Sequence, residues 1–190
     1  MTMTDRSLAE LQADFRATST NAMPIAGMVT WAALGVAGAL LPERTVASAS
    51  LYIMAAILPL AFLIDRARGR NPFAKSDNPL LKLFLLGIIM VALTIPLAVI
   101  GAQGGQPLLV LLGMAILAGV VWIPFGWAAD DPTGTVHAVG RGIGCYLAYA
   151  LCPAPWTASA ICAVVVVAYL YSLMVMRPVG RAAEGRAATA

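Results

Sequence analysis

Charge is what this sequence has least of. Asp, Glu, Lys and Arg make up 11% of its 190 residues, against about 25% in soluble domains. Hydrophobic residues make up 61%, and mean hydropathy is +0.85. A water-soluble fold of this length lacks the polar surface to cover so much apolar material, which excludes an ordinary soluble domain. Histidine and cysteine are nearly as scarce: His137 stands alone, with Cys145, Cys152 and Cys162. An odd number of cysteines, all in apolar stretches, suits neither a disulfide framework nor a metal centre. They read as small apolar residues that pack helices. Walker loop, dinucleotide fingerprint, zinc motif and nucleophile elbow are all missing, so no cofactor is expected. The net charge of +3 is small. No basic stripe interleaved with aromatics appears, which argues against nucleic acid as a partner and leaves membrane lipid. The first twenty residues lack the apolar core of a signal peptide, and the apolar run after them reads as an uncleaved anchor.

What is present is a series of long apolar runs. Residues 5–18 form an amphipathic pattern, with Leu8, Leu11 and Phe15 on one face and a Ser7/Glu10 capping box. This segment, within residues 1–21, is expected to lie on the cytoplasmic interface with its apolar stripe touching acyl chains, or to dock on the cytoplasmic face of the bundle. Six spans are expected within residues 22–176: 22–41, 46–64, 80–100, 107–127, 136–152 and 157–176. Each continuous run is long enough to cross a hydrocarbon core of about 30 Å. The fifth is short, glycine-rich and interrupted by His137 and Arg141. Pro59, Pro96 and Pro124 lie inside spans and predict kinks. Residues 177–190 are rich in Ala, Gly and Arg and read as a disordered cytoplasmic tail. The fold class is therefore all-α: a polytopic transmembrane bundle preceded by an interfacial helix.

Orientation follows from the basic residues. With both ends cytoplasmic, eleven of the twelve Lys and Arg residues fall inside, and Arg44 alone falls outside. That asymmetry fits the inner (plasma) membrane of a cell, with N- and C-termini cytoplasmic, and supports an even number of spans.

Ionisable groups within a bilayer are costly and often functional. No Asp or Glu falls in the middle of an expected span, which argues against a proton pump or an aspartyl membrane protease. Arg141 is the strongest candidate. On a helix it shares a stripe with Cys145, Tyr149 and Cys152, and that stripe suits a cytoplasmic-side anion or headgroup site. Asp130 or Asp131 across the turn offers Arg141 a counter-charge. Against this stands the reading of Arg141 as a snorkelling arginine that fixes orientation. His137 reads as a solvated loop histidine, and Asp65 as part of the basic loop Asp65–Arg70.

Four stretches carry a resemblance. They are the opening Leu8-Ala9-Glu10-Leu11-Gln12-Ala13-Asp14-Phe15, then Pro24 with Trp31, then Phe73-Ala74-Lys75 leading to Asn78-Pro79-Leu80, and Pro124-Phe125-Gly126-Trp127. With them the chain resembles the domain-of-unknown-function 7010 family of small bacterial membrane proteins, over nearly its whole length. After Trp127, Ala128-Ala129-Asp130-Asp131 replaces the hydroxyl- and aromatic-rich segment that the resemblance leads one to expect. The resemblance implies an architecture and no activity. Two functional classes follow. The first is a non-enzymatic bundle that scaffolds or regulates partners, with a homo-oligomer as one form. The second is a small-solute or lipid permease or channel using the kinked spans and a site near Arg141. An enzyme ranks third, because acid, base and nucleophile cannot be assembled.

Overall fold

The computed structural model describes residues 6–70, 76–93, 95–96, 100 and 104–176, and all regular structure among them is helical. The chain opens with α1, Leu8–Thr18, started by the expected box. Glu10 N–H donates to Ser7 Oγ at 3.3 Å, and Ser7 N–H donates to Glu10 Oε2 at 2.7 Å. The Ser7 backbone bond, then the Ser7 side chain, holds the Glu10 carboxyl below its ordinary value. A depressed carboxylate stabilises the fold above its unfolded titration range, and that contribution is lost as pH falls through the folded value. Amide protection of the first turn of α1, corrected for intrinsic exchange, is therefore expected to fall on acidification. Glu10→Gln, which has no proton to gain, should show no such dependence.

Next come α2, Ala22–Leu40, and α3, Glu43–Ala67. The second expected span thus lengthens at both ends, and Pro59 lies within its helix. The lengthening corrects the reading of Asp65: it sits in the last turn of α3, buried, and accepts from Thr20 Oγ1 at 3.0 Å. The third expected span opens as α4, Pro79–Ala92, with Asn78 capping Leu80 N–H. The rest of 80–100 lies partly outside the described residues. The segment expected as the fourth span forms α5, Pro107–Val120, followed at Val121 by α6, Trp122–Ala128. Both α4 and α5 stop four residues before a proline, Pro96 and Pro124. A proline ring displaces the carbonyl four residues back and offers no N–H to it. The segments expected as fifth and sixth spans form α7, Thr133–Leu151, and α8, Thr157–Val175. The tail expected over 177–190 lies outside the described residues.

Four of these segments are long and apolar enough to cross a membrane: Ala22–Leu40, Glu43–Ala67, Pro107–Ala128 and Thr157–Val175. Helix α4 is apolar but shorter, and α7 matches their length with a more polar sequence. Large apolar side chains stand exposed around the outside, Leu40, Tyr52 and Met174 by three-quarters or more. The interior is filled by aliphatic, aromatic and small residues from α2, α3, α5, α7 and α8.

Helices α2 and α8 run antiparallel in close contact. Ser159 Oγ donates to Gly35 O at 2.9 Å, and a Cβ on Gly38 would lie 3.1 Å from Ser159 N. On α2 the glycines Gly27, Gly35 and Gly38 meet α8, while Ala33 and Ala39 are exposed. At one end of the bundle, α1 is docked by specific bonds. Gln12 Nε2 donates to Trp127 O at 2.8 Å, and Arg16 Nη1 donates to Ala129 O at 2.9 Å. Asn78 Nδ2 donates to Leu11 O and to Asp14 Oδ2. Phe15 is buried edge-on against Phe84 and Phe125. Leu8, at the other end of the stripe, stays half exposed. The same end gathers Arg66, Arg68, Arg70 and Lys82, whereas Arg44 stands at the start of α3, toward the opposite end.

Candidate functional site

The most polar part of the interior is built on α7, where His137, Arg141 and Cys145 follow one another at i, i+4 and i+8. All three are buried. Gly126 and Gly134 explain how so polar a helix is drawn into the bundle. A Cβ on Gly134 would lie 2.7 Å from Gly126 Cα, so α6 and α7 touch backbone to backbone. Asp131 N–H donates to Gly126 O at 2.8 Å, and Asp131 Oδ1 accepts from Thr133 N–H at the start of α7.

This contact corrects the reading of His137 as a solvated loop residue. Helix α7 begins at Thr133, about one turn before the expected span, and His137 is 1% exposed. Its ring stacks on Trp122, with centroids 4.1 Å apart and planes 15° apart. Its Nδ1 lies 2.8 Å from Ser172 Oγ on α8, and Tyr169 packs edge-on. The aromatic contacts continue outward from Trp122 to Phe125 and Phe15, so the docked helix α1 is joined by ring contacts to the centre of the bundle.

Arg141 lies one turn beyond His137 and is 1% exposed. Its Cζ stands 5.5 Å from the Trp31 ring and 5.3 Å from the Tyr169 ring. Helix α5 makes room for it at Gly119, where a Cβ would lie 3.0 Å from Arg141 Cδ. Among the described residues, Nε, Nη1 and Nη2 have no hydrogen-bond partner, and neither have Trp31 Nε1 or His137 Nε2. The counter-charge expected from Asp130 or Asp131 is thus not bonded to Arg141. Asp130 is exposed in the turn before α7 with a left-handed backbone, φ 51°. Of the expected stripe, Cys145 is buried beside Arg141, while Tyr149 and Cys152 are half-buried further along. The structure therefore brings Arg141 together with His137, Trp31 and Tyr169, and keeps Asp130 and Tyr149 apart from that cluster. The i, i+4 spacing of His137 and Arg141 was readable in the sequence. The approach of Trp31 and Tyr169 from α2 and α8 was not.

Beside this cluster a groove of about 470 Å³ runs along the outer seam of α7 and α8. Val136, Gly140, Val164 and Val167 are among its walls, and His137 and Arg141 also line it. No group of three or more potential metal ligands occurs among the described residues.

The family of unknown function DUF7010 matches the chain over residues 8–177. That stretch takes in every helix described above. No curated protein and no solved structure matches it.

Proposed function

The chain belongs to the DUF7010 family, and from that premise we propose a non-enzymatic, multi-pass bundle of the plasma membrane that scaffolds or regulates partner proteins. The observation that carries this reading is the filled interior. Helices α2, α3, α5, α7 and α8 close on one another through aliphatic and small side chains. Six segments cross in this reading, with α4 and its continuation as the third and α7 as the fifth. Both termini are cytoplasmic, and α1 is docked over the bundle at that side. The gathering of Arg66, Arg68, Arg70 and Lys82 at the end where α1 sits supports the orientation.

Reporter fusions test it. A fusion after Arg68 is expected to read as cytoplasmic and one after Gly105 as external. An external signal after Arg68 would reverse the topology. The second reading, a small-solute or lipid permease, is favoured by the break in α5–α6 at Val121 and by the unpaired guanidinium of Arg141. Solute flux in vesicles carrying the purified chain, absent from empty vesicles, would put it first.

A further inference from the structure

A guanidinium keeps its charge in proteins, so Arg141 carries a buried cation whose N–H groups are unbonded among the described residues. The rings of Trp31 and Tyr169 offset part of its lost hydration through their π faces. They do not accept the in-plane N–H groups, which are five in number in any arginine. Such a site calls for an anion. Among the described residues no second Lys or Arg is buried with it, so a single negative charge neutralises the site and a double charge would leave an excess in a dry interior. The planar fork matches a planar carboxylate through two parallel bonds.

The groove identifies the rest of the ligand. It is lined by Arg141 itself, its other walls are largely aliphatic, and its volume falls in the range of small-molecule sites, about 300–1,000 Å³. Gly140 leaves it open: a Cβ there would meet nothing within 4 Å. We propose that Arg141 and the α7–α8 groove form a binding site for a single-chain carboxylate, a fatty acid in chemical class. The carboxylate pairs with the guanidinium and the chain lies between the two helices. The guanidinium lies over the two rings, so pairing with a carboxylate in the groove requires its flexible stem to turn the head outward. A two-chain phospholipid fits less well. Arg141 lies eight residues beyond the start of α7, about 12 Å along the helix, too deep for a headgroup whose glycerol stays at the surface. The inference is independent of whether the bundle scaffolds or transports.

The test uses the full chain in a neutral sugar detergent, with dodecanoate as the probe. Methyl dodecanoate and dodecanol are the uncharged controls, and phosphatidylglycerol is the phospholipid arm. Dodecanoate at about a hundredfold above its Kd is expected to raise the unfolding midpoint by about 5 °C or more, with little change from the other three. Arg141→Met and Gly140→Leu should each abolish the shift. A Cβ on Gly140 meets nothing within 4 Å, so the second variant is expected to fold even if the first does not. An equal shift from dodecanol, a larger one from phosphatidylglycerol, or a shift retained in either variant overturns the proposal.

Discussion

Gly134→Ala is expected to lower the unfolding midpoint in detergent by about 6 °C or more, from one added methyl group. The methyl would enter at 2.7 Å from Gly126 Cα and 2.8 Å from Gly126 N. These are backbone atoms, and no rotamer change removes them. Approach from the other side is equally blocked, since a Cβ on Gly126 would lie 2.7 Å from Asp131 O. Over-packing a core typically costs about 1–3 kcal/mol, and a clash that only helix separation relieves belongs at or above the upper end. At about 2–4 °C per kcal/mol for a chain of this size, the shift follows. Separating α6 from α7 also pulls His137 off Trp122, so tryptophan emission should change in the folded fraction. Gly140→Ala is the matched control on the same helix. It meets nothing within 4 Å, and helix propensity favours alanine by about 1 kcal/mol. Its midpoint should hold or rise. A midpoint for Gly134→Ala within a degree of the parent would mean that α6 and α7 are not in backbone contact.

This contact also marks where the sequence stops being readable. The long apolar helices were legible because hydropathy and length are local properties. Ala22–Leu40 and Thr157–Val175 fall within a residue of the expected spans. The stops at Ala92 and Val120 were legible in principle, since Pro96 and Pro124 act four residues back through a single carbonyl. Helix α7 was harder. Its polar residues diluted the apolar run and set its start at Val136, whereas the true start at Thr133 is set by Gly134 meeting Gly126. That pairing is a tertiary event between residues that sequence treats as ordinary turn glycines. The same shift carried His137 from an expected loop to a ring stack. Asp65 was misread because a charged run after an apolar one resembles a loop. Its partner Thr20, which holds it in α3, lies 45 positions earlier. The sequence leaves α1 two places, the lipid interface or the face of the bundle. The deciding bonds run from Gln12 and Arg16 to carbonyls of Trp127 and Ala129, which composition does not signal.

Arg141→Met is expected to stabilise the ligand-free protein, the reverse of what truncating a buried residue ordinarily does. Three contributions decide the sign. Removing the uncompensated charge recovers a desolvation penalty of several kcal/mol, as estimated for ions in real proteins. Against it stand two ring contacts, at 5.5 Å to Trp31 and 5.3 Å to Tyr169, near the outer limit of such contacts, where each is worth about 0.5 kcal/mol to about 2 kcal/mol, desolvation favouring the upper end. The third contribution is packing of the stem against Gly119, which methionine's unbranched chain largely keeps. The balance favours methionine by about 1–3 kcal/mol, or about 2–12 °C in midpoint. Arg141→Lys retains the charge but forfeits the planar face that lies over the rings, so it should be no more stable than the parent. The measurement is thermal unfolding of delipidated protein in neutral detergent, with the three chains compared side by side. If Arg141→Met unfolds below the parent, the rings alone satisfy the guanidinium. The cation is then a structural element of the bundle and calls for no counter-ion.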